Sequence, residues 1–105
     1  MTRSRLALAL LVLLPTSAQA GELETRGKAL LDAQCSRCHA IGATGASPLE
    51  KAPAFRHLGR KYKLETLAEA LAEGIVTGHP DMPQATFKPD EIDAILAWLT
   101  SIAER

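Results

Sequence analysis

Apolar residues recur with a helical period in three stretches of the chain. The first, from Glu22 to Ala33, consists of good helix formers and carries three leucines. The second runs from Leu64 to Ile75 with apolar side chains at i, i+3, i+4, i+7 and i+11, and the third repeats nearly this spacing from Ile92 to Ile102. No stretch of useful length alternates as a β-strand does. The pattern predicts a small all-α domain.

Turn-forming residues separate these helices. Gly74 is suited to end the second helix, and Pro89 is suited to the first turn of the third. Lys88 is a poor N-cap residue, so the start of the third helix is weakly specified. We expect a loop rich in Gly, Ala, Ser and Pro between Ile41 and Pro53, followed by a short turn at Ala54 to Arg60.

The first 20 residues are organised like a secretory signal peptide. Arg3 and Arg5 precede an apolar run at residues 6–14, and small residues stand at Ala18 and Ala20. The run is too short to cross a bilayer, which needs about 20 apolar residues. We expect residues 1–20 to be cleaved after export. An uncleaved anchor or an N-terminal core helix is the alternative interpretation.

The composition excludes several classes of protein for the remaining single domain, residues 21–105. The chain has 12 basic and 12 acidic side chains, so it carries no strong field for nucleic acid or an anionic membrane. Two cysteines are too few for a disulfide-dense mini-protein. Aromatic residues make up only 4% of the chain, which leaves few large side chains to fill a core. A group other than the side chains therefore has to supply part of the hydrophobic core.

One motif carries the candidate chemistry: Cys35, Cys38 and His39 form a C-x-x-C-H sequence. In such a motif two thiols add across the vinyl groups of haem, and the imidazole binds the iron. A thioredoxin-type dithiol would need a strand-rich context, and a zinc site would need further paired ligands. A disulfide closing so small a loop would gain little stability. The motif favours covalent haem c.

A second iron ligand is expected from the loop that follows the second helix. Met82 is the one methionine besides the initiator, and Pro80 and Pro83 stiffen the chain on both sides of it. A thioether on such a loop can close the distal face of the iron and raise its potential. His79 is the chemical rival and His57 a weaker one.

With these residues in view, the chain resembles a class I c-type cytochrome, a small soluble monohaem cytochrome c, from Glu22 to Glu104. In that family a glycine stands eight residues before the first haem cysteine, as Gly27 stands before Cys35. It lets the N-terminal helix cross closely over an aromatic residue of the C-terminal helix, a position that Trp98 fits, with Ile95 one turn earlier. Leu31 fits the apolar position beside the glycine. The resemblance implies crossing terminal helices with a covalent haem at the core.

The resemblance also implies roles for two further residues. The segment around Pro53 resembles the family loop whose proline carbonyl accepts the second ring proton of the axial histidine, so Pro53 would orient His39. Arg60 resembles a family arginine near the haem propionates. The Met-Pro pair at Met82 matches the family's methionine loop, so His39 and Met82 would be the two axial ligands.

With both axial positions filled, the iron has no open position for a substrate, so the expected function is electron transfer rather than catalysis. We expect a periplasmic one-electron carrier whose partners are redox proteins: a dehydrogenase, an oxidase or a reductase. A free shuttle and a subunit docked on a dehydrogenase are both compatible with the sequence. No nucleic-acid partner and no transmembrane span are expected. A haem enzyme or gas sensor with a labile sixth ligand, and a thiol–disulfide protein, are the alternatives.

Basic side chains are concentrated in the middle of the sequence. We expect them near the exposed haem edge, where they would steer an acidic partner. They are Arg37, Arg56, Arg60, Lys61 and Lys63.

Overall fold

The computed structural model describes residues 4–13, 17–74 and 82–104, with the side chains of residues 17–20 left aside. Within these ranges the chain forms helices, turns and loops and no strand, which confirms the all-α class. The elements in chain order are α1 (Ser17–Cys35), a 3-10 turn (Phe55–His57), α2 (Leu58–Lys61), a second 3-10 turn (Leu64–Thr66), α3 (Leu67–Glu73) and α4 (Pro89–Ile102).

Helix α1 is longer than predicted at both ends. It begins at Ser17 instead of Glu22 and continues to Cys35, so it runs across the expected cleavage point after Ala20. Its sequence lacks proline and is rich in Ala, Leu and Glu, which favours helix throughout. The apolar residues 6–13 lie outside the helix with exposed side chains and add nothing to the core. In the described ranges, no helix has the length and apolar character needed to span a bilayer.

The predicted middle elements form, but in shorter pieces. The turn expected at Ala54 to Arg60 is the 3-10 turn followed by α2. The expected helix from Leu64 is divided into the second 3-10 turn and α3, because the chain tightens at Leu64–Thr66 before the regular helix begins. Gly74 ends α3 with a φ of 94°, a conformation that favours glycine.

Helix α4 begins at Pro89, as predicted, and its start is better specified than Lys88 alone suggested. The side chain of Glu91 accepts a hydrogen bond from the backbone N–H of Lys88 at 2.9 Å. This contact satisfies one of the donors that a helix start leaves unpaired. The cap therefore comes from the third residue of the helix rather than from the residue before it.

Helices α1 and α4 cross closely at Gly27. A Cβ atom on Gly27 would overlap the backbone carbonyl of Ala94, and Ile95 provides the next nearest backbone atom. The close crossing expected at Gly27 is therefore present, and its shortest backbone approach is at Ala94 and Ile95, one turn before Trp98. Ala94 and Ile95 are fully buried at this crossing.

The core lies between α1, α4 and the middle elements. Its buried side chains are Leu31, Phe55, Leu71, Ile92, Ile95, Leu99 and Ile102. Phe55 is the only aromatic side chain among them, and most of the others are medium-sized aliphatic residues. The described core is accordingly small.

Candidate haem site

The C-x-x-C-H motif lies where α1 ends. The backbone N–H groups of Cys38 and His39 both donate to the carbonyl of Cys35, at 3.2 and 3.0 Å. This turn brings the two cysteines and the histidine together at one end of the helix. Both cysteines are half-buried free thiols, so neither is consumed by a disulfide.

The imidazole of His39 is held by the segment that begins at Pro53. Its Nδ1 lies 2.8 Å from the carbonyl oxygen of Pro53. The ring packs against Phe55, with centroids 4.6 Å apart and an angle of 33° between the planes. Because a carbonyl only accepts hydrogen bonds, Nδ1 carries the proton, and the lone pair of the neutral ring is on Nε2. That is the tautomer a metal-binding histidine needs.

The loop from Ala40 to Pro53 is fastened to the motif and to α4. The indole Nε1 of Trp98 donates to the carbonyl of Ile41 at 2.8 Å, and the ammonium of Lys28 lies 5.3 Å from the centroid of the same indole. Further hydrogen bonds join Ala40 N to Ser47 Oγ at 3.0 Å, Leu49 N to Cys38 O at 3.1 Å and Phe55 N to Ala40 O at 2.9 Å. Trp98 thus anchors the chain two residues after His39, a role not predicted from the sequence.

The electrostatics of the Cys35 thiol do not suit thiol–disulfide chemistry. Burial, with a smaller contribution from Cys38, raises the pKa of the Cys35 thiol to about 11. Reactive dithiols have a lowered pKa instead, because the thiolate is the nucleophile. Within the described residues no group of three or more His, Cys, Asp or Glu side chains is arranged to hold a metal ion. A zinc site is therefore not assembled in that part of the chain.

The sequence of this chain matches the family model described as cytochrome c oxidase, cbb3-type, subunit III, over residues 22–99. The chain belongs to that family. Its domain is a class I c-type cytochrome domain, which binds haem c and its iron covalently and transfers electrons through it. Comparisons with curated proteins and with solved structures gave no match.

The half-exposed edge of the core in this cytochrome domain fits a large, flat, apolar group. Cys35 itself packs against the buried core, together with half-buried apolar side chains from several elements. These side chains are Leu30, Ile41, Leu58, Leu64, Leu67, Ala68, Phe87, Leu96 and Trp98. Half-exposed apolar side chains that pack on the same core as Cys35 are what a covalent haem would cover.

The other expected site residues are distributed unevenly. Met82 is half-buried and begins the described segment that leads into α4, whereas its rival His79 lies outside the described residues. His57 and Arg60 both contact Glu104, at 3.1 and 2.9 Å. Glu104 was not predicted as a site residue, and only its position near the end of α4 hinted at it. The propionate contact expected of Arg60 stays a prediction.

Proposed function

We propose that this cytochrome domain is a periplasmic electron carrier with one haem c attached to Cys35 and Cys38 and ligated by His39 and Met82. When bound, the haem iron supplies a reversible one-electron couple. The observation that carries the proposal is the hydrogen bond from His39 Nδ1 to the Pro53 carbonyl, because it leaves Nε2 for the iron. The chain's own residues bind, orient and enclose the group.

Pro53 and Phe55 prepare His39 for ligation. The carbonyl of Pro53 fixes the ring orientation and increases the basicity of the imidazole, as second partners of ligating histidines generally do. The ring of Phe55, which is buried, packs against one face of the imidazole and limits its rotation. A ligand held in this way keeps its geometry when the charge on the iron changes, which favours fast electron transfer.

Met82 is the sixth ligand in this proposal. Its thioether is soft, it stands beside Pro83, and its half-buried position is compatible with an inward-facing side chain. With both axial positions filled, the site has no position for a substrate. We therefore propose a carrier and not a haem enzyme or a gas sensor.

Export is part of the proposal. Residues 1–20 have the sequence organisation of a signal peptide, and residues 6–13 make no contribution to the core. Mass spectrometry of the purified protein tests this step. A mature N-terminus at Gly21 supports export and cleavage, whereas a full-length chain in the membrane fraction contradicts them.

The partner of this carrier is another redox protein. The family description names a subunit of an oxidase, so assembly with a larger complex is a second candidate beside a free shuttle. Arg56 and Arg60 are paired with Glu104, which leaves Arg37, Lys61 and Lys63, all exposed, as the basic side chains for steering an acidic partner. Co-purification from the native host separates the two candidates.

An absorption spectrum tests the function directly. The protein is produced in a host with cytochrome c maturation machinery, and spectra of the oxidised and reduced forms are recorded with and without carbon monoxide. Haem retained through denaturation, a low-spin reduced spectrum and no change with carbon monoxide support the proposal. A colourless protein from a competent host contradicts it, and a carbon monoxide shift favours a sensor or an enzyme.

A further inference from the structure

Four polar contacts converge on Glu104, just after the end of α4. Its carboxylate oxygens lie 2.9 Å from Arg60 Nη2, 3.1 Å from His57 Nε2 and 3.6 Å from Arg56 Nε. Its backbone N–H donates to the carbonyl of Arg56 at 2.9 Å. A single exposed ion pair contributes little to stability, but three partners on one carboxylate form a network. All three partners belong to the short segment 56–60.

Arg56 connects this network to the loop that follows the haem motif. While its Nε faces Glu104, its Nη1 donates to the carbonyl of Gly45 at 2.6 Å. Only 16% of the Arg56 side chain is exposed, the least among the partners of Glu104. One guanidinium therefore joins the end of α4 to the loop between His39 and Pro53.

The residues before Arg56 contact His39 directly. Phe55 packs against the imidazole, and Pro53 accepts its Nδ1 proton. Arg56 is one peptide unit from Phe55 and three from Pro53. A displacement of the Arg56 side chain and its backbone is therefore transmitted to both contacts of the imidazole within a very short length of chain.

We propose that Glu104 is a positioning residue for His39, an inference that rests on the proposed role of His39 as axial ligand. Glu104 holds the Arg56 guanidinium against Gly45, and this fixes the segment that carries Pro53 and Phe55. The hydrogen bond from His39 Nδ1 to the carbonyl of Pro53 makes the imidazole a stronger electron-pair donor to the iron. Loosening that bond weakens the donation to the iron and raises the reduction potential.

Glu104→Gln in the haem-loaded protein tests the inference. This variant removes the charge but keeps the size of the side chain and the backbone hydrogen bond to Arg56, so the chain still folds. Asp93→Asn is the matched control, because Asp93 is an exposed carboxylate in α4, the helix that ends two residues before Glu104. The reduction potential and the exchange rate of the His39 Nδ1 proton, followed by NMR in the reduced state, are measured for both.

We expect Glu104→Gln to speed this proton exchange by about threefold or more, the scale that loss of a small exposed network predicts. Its potential should be higher than that of Asp93→Asn, which should resemble the parent protein. A second variant, Arg56→Lys, keeps the charge, but a single ammonium does not span both Gly45 and Glu104. Arg56→Lys should also speed the proton exchange and raise the potential. The double variant with Glu104→Gln and Arg56→Lys should change both quantities by less than the sum of the two single changes.

If Glu104→Gln and Arg56→Lys match Asp93→Asn in potential and in proton exchange, and lower only the thermal stability, Glu104 is a structural contact and the inference is wrong. Failure of the proposed function has a different signature. In that case the parent protein carries no covalent haem, or His39→Ala leaves its low-spin spectrum unchanged. The two failures are therefore separable on the same set of samples.

Discussion

At the residue scale, the two nitrogens of the His39 ring have different tasks. Nδ1 is committed to the carbonyl of Pro53 at 2.8 Å, so the ring cannot change tautomer without losing that hydrogen bond. In the neutral ring the lone pair is then on Nε2, the nitrogen that the proposed iron ligation needs. The carbonyl of Pro53, rather than a charged side chain, orients the proposed ligand.

Replacing Met82 separates the two candidates for the sixth ligand. In Met82→Ala the thioether is lost, so the reduced protein should bind carbon monoxide with a clear spectral change. The potential should fall, because a soft thioether ligand favours ferrous iron and its loss removes that preference. His79→Ala is the control and should leave both properties unchanged. If His79→Ala opens the site and Met82→Ala does not, the ligand assignment has to be reversed.

A single methyl group added at Gly27 should lower the stability of the fold strongly. Its Cβ would overlap the carbonyl of Ala94, which is backbone and cannot rotate away. We expect Gly27→Ala to lower the free energy of unfolding by about 3 kcal/mol or more, since α1 and α4 must move apart. Urea unfolding of the haem-loaded protein measures this change.

Gly59→Ala provides the comparison for Gly27→Ala. Gly59 lies in α2, and its added Cβ would meet only the Cβ of Ala103, at an ordinary 3.9 Å. Gly59→Ala should leave the free energy of unfolding unchanged or raise it by up to about 1 kcal/mol, because alanine has a higher helix propensity than glycine. Equal losses in the two variants would show that the close crossing does not matter to stability.

At the scale of elements, an ion pair joins α1 to the start of α4. Arg26 lies 2.7 Å from Asp90, and the hydrogen bond from Arg26 lowers the pKa of the Asp90 carboxyl below its ordinary value. A carboxyl whose pKa is lower in the folded state contributes stability above its unfolded pKa, near pH 4, and loses it as the pH falls through the folded pKa.

Asp90→Asn should therefore lower stability at neutral pH and have no effect in strong acid. We expect the urea midpoint to fall at about pH 7, and the difference from the parent to vanish once the pH is below the folded pKa of Asp90. Asp93→Asn controls for the change in net charge. A difference that persists unchanged into acid would exclude the ionised pair as its cause.

The segment that contains Met82 approaches α3 at two points. The N–H of Phe87 donates to the carbonyl of Leu71 at 2.9 Å. The side chain of Gln84 lies next to Gly74, where a Cβ atom added to the glycine would be only 2.7 Å from Gln84 Nε2. Gly74 also has a φ of 94°. The end of α3 therefore needs glycine for two reasons, backbone conformation and space.

Gly45→Ala allows these two reasons to be measured separately. Gly45 has a similar φ of 96° but open space around its Cβ position, so Gly45→Ala should cost only backbone strain, about 1 kcal/mol. Gly74→Ala should cost up to about 1 kcal/mol more, because the exposed side chain of Gln84 also has to change rotamer. Adding Gln84→Ala should recover that second part. Urea unfolding measures the free energy of unfolding of the three variants. If Gln84→Ala recovers none of the stability lost in Gly74→Ala, the contact with Gln84 is not the cause of the second part.

Local pattern was enough to predict the helices, because the period of Leu64 to Leu71 and of Ile92 to Ile102 and the punctuation at Gly74 and Pro89 are properties of neighbouring residues. The partners of those helices were harder to predict. The hydrogen bond from Trp98 to Ile41 joins residues 57 positions apart, and the one from Arg60 to Glu104 spans 44. Nothing in either local sequence specifies such a pairing.

At the scale of the whole molecule, the core and the haem motif depend on each other. The buried cluster contains one aromatic side chain, Phe55, and that ring packs against His39. Apolar side chains of several elements, and Cys35 with them, pack against this cluster and stay half-exposed. We propose that the covalent haem of this cytochrome domain covers part of that surface and so contributes to the core as well as to the redox chemistry.

The protein without haem should therefore be much less stable than the loaded protein. A covalent haem stays attached to the unfolded chain, so it stabilises the fold through the apolar surface that is buried only when the chain is folded around it. The same chain from a host without maturation machinery should unfold with a free energy below about 3 kcal/mol, as small cores without a cofactor generally do. Circular dichroism during urea titration compares the two preparations, with cysteines kept reduced in the haem-free one. Equal midpoints would mean that the side chains alone suffice to fold the domain, and that the half-exposed apolar side chains on the core do not lower its stability when no haem covers them.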